Sequence, residues 1–407
     1  MMSSLLVVNI AQAVSGTAIP SHGRKMRELT THAPAAIYAR EGLIEAVGPR
    51  EQVEREISGD PVILDAGGGA VIPGFVDSHT HLVFGGRRED EFDQKIAGAS
   101  YQEIAAAGGG IISTVEATRR AAPSELVEIG LGYLRSALAH GTTTMEIKSG
   151  YGLDLENELK ILEVIAELGR RQPVEVVPTF MGAHAVPPGV SAQEQTQRVI
   201  AMLPHVQGKA EYCDVFCERG YFGIDETRAI LAAAKRAGLK LRLHADQLSS
   251  NGGVQLALNM GARSVDHLEQ ISPGEIVQLA DSSCAATLLP GVSLFLHYGY
   301  PPARRLIDEG AIVTLASNFN PGSCMCLNLQ LVFALACMQM RMTTAEALIA
   351  LTANAAWALD RPHIGRLEPG LQADFLLLDS PSYRVIPYFF GENHVKVVVK
   401  KGEVVVG

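Results

Sequence analysis

The chain has 407 residues, 47% of them hydrophobic and 19% charged, with a formal net charge of −10. That length holds one large domain and a smaller one, and the composition is that of an ordinary globular protein. The acidic balance argues against a nucleic-acid partner, which calls for a basic face, and no stretch has the length of a membrane span.

The opening residues, MMSSLLVVNIAQAVSG, lack the basic flank and long apolar core of a signal peptide. They read as a first β-strand, and a cytoplasmic protein is expected. Residues 4–14, 36–48 and 62–66 carry short β-branched and apolar runs. Residues 373–379 and 395–407 do the same near the other end, where Lys400-Lys401-Gly402 between two valine runs signals a hairpin. Half-sheets at opposite ends of a chain commonly pair, so residues 1–69 and 360–407 are expected to form one small β-sandwich domain.

Between them the pattern changes. Eight apolar strand candidates cover 70–82, 142–152, 174–184, 212–220, 239–247, 263–270, 284–291 and 311–322. Helical segments separate them, among them 124–139, 155–170, 226–237 and 343–358, with Ser124 and Thr344 as expected N-caps. Eight strand–helix units are the arithmetic of a (β/α)8 TIM barrel, here over 70–359. An open doubly wound sheet would show a Gly-rich loop after its first strand, where this chain reads DSHTHL. Gly108-Gly109-Gly110 follows no strand and reads as a loop. Six cysteines (Cys213, Cys217, Cys284, Cys324, Cys326, Cys337) follow no disulfide spacing, and Cys324/Cys326 read as packed small residues rather than thiolate ligands.

In such a barrel the chemistry sits at the C-terminal strand ends. The first strand ends in His79-Thr80-His81, whose alternate residues point to one side, so both imidazoles can face the mouth. The third ends at His184, the fifth at His244 followed by Asp246 and Gln247, and the sixth carries Asp266-His267. Singly, each histidine reads as readily as a satisfied core residue; four strands placing one at the same end point to a site. His22, His32, His140, His205, His297, His363 and His394 fall in loops or helix ends and need no special role. His79, His81 and His244 supply three nitrogens, and three protein ligands plus water is the plan of catalytic zinc, while imidazole suits iron as well. One divalent ion is therefore expected. A carboxylate from the eighth strand would complete the site, yet the residue there, in ASNFNPG, is Asn318. In a regular strand Asp266 points away from His267, and no catalytic part is expected of it.

The stretches VIPGFVDSHTHLVFGG, IKSGYGLD, GAHAVPP, HADQL, VDHLEQ and NPGS together resemble the imidazolonepropionases of the amidohydrolase superfamily. The likeness runs through nearly the whole chain, including GASYQEI and AGGGIISTVEATR; HLVFGGRREDEF and KSGYGLD are its more specific parts. The resemblance implies a mononuclear zinc or iron enzyme of histidine breakdown, working as a homodimer. It would open the ring of 4-imidazolone-5-propanoate to give N-formimidoyl-L-glutamate. Position by position it implies metal ligation by His79, His81 and His244, and substrate contacts from Arg88, Tyr151 and His184. Gln247 stands where members carry Glu or Gln, Asn320, Gly322 and Ser323 match the loop that holds the substrate, and Tyr101 would lie near its tail.

On that reading Arg88 pairs with the substrate carboxylate, the metal or His267 stabilises the developing oxyanion, His184 and Gln247 orient the ring, and residue 318 relays the proton. The family has Asp at this position; Asn318 has its shape but is no base near neutral pH. Losing a positioned acid–base group costs on the order of 10²–10⁴ in rate, so reduced or absent activity is expected. Three accounts of the amide are open: a change introduced to stall the reaction, a natural variant without activity, or another residue that has taken over the proton. The intact surrounding motifs favour the first. Competing functions are a ring-amine deaminase, a hydrolase of another cyclic amide, and a metal- and ligand-binding barrel without turnover.

Overall fold

The structure is a computed structural model describing residues 4–98 and 109–407. Seven strands precede the barrel: β1 (Ser4–Ile10), β2 (Gln12–Gly16), β3 (Leu29–His32), β4 (Ala35–Arg40), β5 (Leu43–Gly48), β6 (Val62–Asp65) and β7 (Ala70–Pro73). The barrel strands are β8 (Phe75–Asp77), β9 (Thr142–Lys148), β10 (Glu175–Ala183), β11 (Tyr212–Cys217), β12 (Lys240–Ala245), β13 (Ser264–His267), β14 (Ala285–Leu288) and β15 (Ile312–Leu315). After them come β16 (Phe375–Leu378), β17 (Val395–Lys400) and β18 (Glu403–Val406).

β8 to β15 pair in chain order, every pair parallel. Beyond the last strand residues the ring is joined by a parallel bridge between Thr80 and Phe319. Asn318 N–H donates to His79 O at 3.0 Å and His81 N–H to Phe319 O at 2.9 Å. The expected (β/α)8 barrel is thus present, and its joined first and last strands rule out the open doubly wound sheet. The strands read as continuous buried runs because helices cover the outside; every residue of β9 and β11 is buried. One such helix, Leu155–Arg171, starts where the Asp154 side chain accepts from Asn157 N–H.

Three local expectations need correction. The candidate strand over 70–82 is two strands: β7 pairs with β2 and β16 in a terminal sheet, and only β8 enters the barrel. The helix expected from 124 begins at Pro123 with Ala122, not Ser124, at the cap; proline suits the first helical position because its missing N–H would go unbonded there anyway. The helix expected over 343–358 is two, Thr344–Leu351 and Ala353–Ala358, broken at Thr352 (φ −128°, ψ −93°). The first is capped by Thr343, one residue before the expected Thr344, in a reciprocal box with Glu346. The break lets Ala355, Ala356 and Leu359 turn under the barrel and pack on Val76, Val177 and Tyr212.

The terminal strands form two sheets, β5-β4-β1-β6 and β18-β17-β16-β7-β2-β3, the second drawing on both ends of the chain. Val7 and Ile37 of one sheet and Val71, Phe375, Leu377 and Val399 of the other share a buried apolar cluster, as in a sandwich. The Lys401-Gly402 hairpin is as expected, with φ of +50° and +74°, the left-handed pair that matches strand twist. All six cysteines are free, and Cys324 packs among Leu289, Val292 and Ala316. Among the described residues no helix is long and apolar enough to cross a membrane.

Candidate metal centre

His79 and His81 lie on the extended segment that continues β8 to its bridge with Phe319. Between them Thr80 faces the other way, its hydroxyl donating to Glu146 O at 2.7 Å and its N–H to Glu146 Oε2 at 3.1 Å. This tie to β9 fixes the alternation that turns both imidazoles inward. His244, in β12, meets them: its Nε2 lies 3.3 Å from His81 Nε2, and the His79 and His244 rings are 4.4 Å apart. Ligand atoms of the three fall within 4.8 Å of one another, the one such group of His, Cys, Asp or Glu among the described residues.

Two of the three rings are oriented by a buried carboxylate. His79 Nδ1 is 2.6 Å from Asp266 Oδ2, and His244 Nδ1 is 3.0 Å from Asp214 Oδ1. A carboxylate on Nδ1 holds the proton there and leaves the Nε2 lone pair pointing into the cluster. Burial, with the Lys148 ammonium and the neighbouring rings, pushes His79 well below the usual histidine range, so it stays neutral. Burial does the same to His81 and, against the pull of Asp214, lowers His244. Asp214 and Asp266 are buried too, yet both stay below the ordinary carboxylate range: His244 and Lys148 hold down Asp214, Arg242 and Lys148 hold down Asp266.

The set fits a divalent metal. His79 Nε2 is buried without a hydrogen-bond partner, and it shares the centre with His81 Nε2 and His244 Nε2, which lie 3.3 Å apart. That separation is close to the ~3.3 Å edge of a tetrahedron with Zn–N bonds of about 2.0–2.1 Å.

Asp266 corrects the sequence reading. It points into the site beneath His79, and so does His267 above it, because the strand ends there: His267 has φ of +88° and Leu268 +69°, which breaks the alternation. The His267 ring lies 5.2 Å from that of His244, with Nδ1 3.4 Å from Glu269 Oε1. Below the histidines runs a buried layer of charge that sequence reasoning missed. Lys148 bridges Glu146 (2.7 Å) and Asp214 (2.9 Å), and Arg242 bonds Ser78 O (2.7 Å) and Asp266 (3.0 Å). The available signal was a charge inside an apolar strand, in MEIKSG, YCDVFC and LKLRLHA, since such residues are almost never buried unless paired.

Above the histidines opens a cavity of about 560 Å³. Its walls include Arg88, Tyr151, His184, Gln247, His267 and Asn318, and the loop residues Asn320, Gly322 and Ser323; Tyr101 lies outside the described residues. His297 lines it too, against expectation: it ends the short helix Pro290–Leu296 that follows β14 directly, and so sits at the functional end of the barrel. His184 stacks on His81 (ring centroids 4.7 Å) with Nδ1 3.1 Å from Gly150 O. Burial beside His244 pushes His184 down to about 3, so its Nε2 is an acceptor. Tyr151, buried among His184, His81 and Phe84, is pushed up by burial and keeps its proton. Its loop is held by Glu158, which accepts from the N–H groups of Gly150 (3.0 Å), Gly152 and Leu153 (both 2.8 Å). Asn318, at φ +55°, donates from Nδ2 to Ser323 Oγ at 3.0 Å, and its Oδ1 is buried without a partner.

The Amidohydrolase family profile matches residues 70–405. Among solved structures, a triazine hydrolase variant superimposes with a TM-score of 0.76 at 18% identity, covering 99% of this chain and 94% of its own. An adenosine deaminase from Xanthomonas campestris with bound zinc gives 0.75 at 16%, covering 99% and 93%. These two likenesses show the fold. The chain belongs to the amidohydrolase family. Within it, imidazolonepropionase from Rubrobacter xylanophilus is 48% identical over 98% of this chain and 98% of its own length. That from Symbiobacterium thermophilum is 45% identical over 99% and 97%. At such identity over whole chains, this protein falls among the imidazolonepropionases.

Proposed function

We infer that the site is built to hydrolyse the ring amide of 4-imidazolone-5-propanoate to N-formimidoyl-L-glutamate, in a form impaired by Asn318, using one divalent ion, zinc or iron, held by His79, His81 and His244 with the Asn318 carbonyl as a fourth, neutral donor. The observation that carries this is the meeting of three neutral imidazoles at the floor of a cavity whose wall holds Arg88, in a chain alike end to end to imidazolonepropionases.

A bound divalent ion supplies a hydroxide-level nucleophile near neutral pH and polarises the ring carbonyl. The residues do the rest. Arg88 pairs with the propanoate carboxylate, and the Tyr151 hydroxyl donates beside it. His184 Nε2 accepts from a ring N–H, and the Gln247 amide offers both a donor and an acceptor to the ring. His267 faces the same centre and stabilises the oxygen that gains charge as the carbonyl is attacked. Asn320 Oδ1 accepts from Gly322 N–H (2.8 Å) and Ser323 N–H (3.0 Å), which shapes the loop closing the pocket. A carboxylate at 318 would take the proton of the attacking water and pass it to the leaving ring nitrogen; an amide cannot. The complete surroundings of Asn318 support the reading that only this relay is missing.

The test is ring opening, followed by loss of the imidazolone absorbance, in the metal-loaded chain and in Asn318→Asp. Recovery of turnover in the variant is expected. Metal and ligand binding with no turnover in either would instead make this a binding protein. Every residue invoked falls in the proposed barrel unit, 70–359, and none in the terminal β unit of 1–69 and 360–407. The chain is expected to act in the cytoplasm as a homodimer, for which the exposed Tyr388-Phe389-Phe390 cluster is the supporting feature. Neither nucleic acid nor membrane is an expected partner. Equilibrium sedimentation at a dimer mass checks the assembly.

A further inference from the structure

We propose that Lys95 is a second cation of the carboxylate subsite and supplies the net positive charge that selects an acidic substrate, Arg88 supplying the geometry. The proposal rests on the imidazolone reading above and deepens it.

Two cations converge on one glycine. A methyl group added at Gly322 would meet Arg88 Nη1 at 2.5 Å, and Lys95 Nζ donates to Gly322 O at 3.2 Å. Both side chains line the cavity, and both belong to one stretch, Arg88 at the N-cap of helix Glu89–Ile96 and Lys95 in its last turn. Their charges are not equivalent. Arg88 is already neutralised: Nε and Nη2 donate to Glu91 Oε2 at 2.9 and 2.7 Å. The other Glu91 oxygen accepts from Gly110 N–H (3.0 Å) and Ser113 Oγ (3.2 Å), so the carboxylate is held in place from both sides. Lys95 has no ion-pair partner among the described residues; its contact is a backbone carbonyl. Among the described residues the subsite therefore carries one uncompensated charge, and it is on Lys95.

A lysine serving only the helix end would keep its ammonium in water. This one is half-buried and reaches across the cavity wall to the loop of Asn320 to Ser323. Burial and the nearby Arg88 lower its pKa, as for an ammonium short of an anion. A propanoate tail laid against Gly322 would meet Nη1 of Arg88 and Nζ of Lys95 together and become the missing counter-ion. The chemistry recognised is a carboxylate on a short flexible arm; a neutral ring without that arm would leave Lys95 unpaired.

The probes are imidazole-4-propanoate and its carboxamide, titrated by calorimetry into the zinc-loaded chain. The parent should prefer the carboxylate. Lys95→Met should weaken the carboxylate by about tenfold, leave the carboxamide unchanged and flatten the salt dependence; Lys95→Arg should restore the preference. An undiminished carboxylate preference in Lys95→Met, with carboxamide affinity intact, overturns the role of Lys95 alone. A parent that binds both probes equally, or neither, overturns the imidazolone reading and this inference with it.

Discussion

Asn318 is the residue on which the proposed chemistry turns. Its backbone sits at φ +55°, a region that Asn and Asp enter more easily than other side chains, so the local fold accepts either. Replacing the amide by a carboxylate changes no shape. On the proposed mechanism it would supply a base and offer a divalent ion an anionic donor. Asn318→Asp should raise ring-opening kcat by on the order of 10²–10⁴ and slow metal loss to a chelator, read by a colorimetric release assay. Arg88→Ala should raise KM steeply for the acid substrate while kcat falls far less, because the clamp binds ground and transition states alike. Steady-state kinetics in the Asn318→Asp background would show it; an equal fall in kcat would place Arg88 in the chemical step. Gly322→Ala should act on the same clamp. Its new methyl group would lie 2.5 Å from Arg88 Nη1 and push the guanidinium aside, so KM should rise with little change in Tm.

Two helices and an N-terminal turn are tied by one carboxylate. Glu346 is in the first turn of helix Thr344–Leu351 and accepts from Thr343 N–H at 2.7 Å. It also takes Arg304 of helix Ala303–Glu309 at 2.9 Å and Arg27 of the turn Gly23–Arg27 at 2.8 Å. Burial pushes its carboxyl up, but the bonds from Arg304, Thr343 and Arg27 outweigh that and hold it at about 2, against an ordinary 4.5. A folded-state pKa below the unfolded one adds stability that is full above about 4.5 and fades as pH falls towards about 2. Glu346→Gln should therefore lower Tm at pH 7, with a gap to the parent that narrows through that window; thermal melts across pH would show a constant gap if the ion pairs contributed nothing. Thr343→Ala removes the other half of the cap and should cost about 1 kcal/mol.

At the scale of the molecule, the barrel is a frame that carries buried charge and directs it upward. Arg242, fully buried, holds Ser78 O and Asp266, and Asp266 holds His79. Arg242→Met leaves that carboxylate without its cation, and removing one partner of a buried pair costs about 3–5 kcal/mol. Denaturant melts should show that loss, and metal affinity should fall with it because His79 is no longer oriented. The terminal sheets close the structure around β7, which β16 borders on one side and β2 on the other. Ending the chain at Ser380 would remove β17 and β18 and bare the face of Phe375 and Leu377. Such a truncation is expected to leave the soluble fraction on expression.

Alternating apolar strands and helices were enough to declare the barrel, and His79, His81, His184, His244 and His267 at strand ends were enough to declare its business end, because strand direction and side-chain alternation are local properties of the chain. Alternation failed where the backbone left the strand: only the positive φ of His267 lets it and Asp266 face the same centre. Pairings across the ring were equally hidden. That Asp214 orients His244 and Lys148 joins Glu146 to Asp214 depends on which strands become neighbours when the sheet closes. The same holds for Arg88 and Lys95, two surface-looking charges in RREDEFDQK, which the return of the chain at Gly322 turns into the wall of a pocket. Local periodicity gave direction; distance between remote residues came only from closure of the barrel.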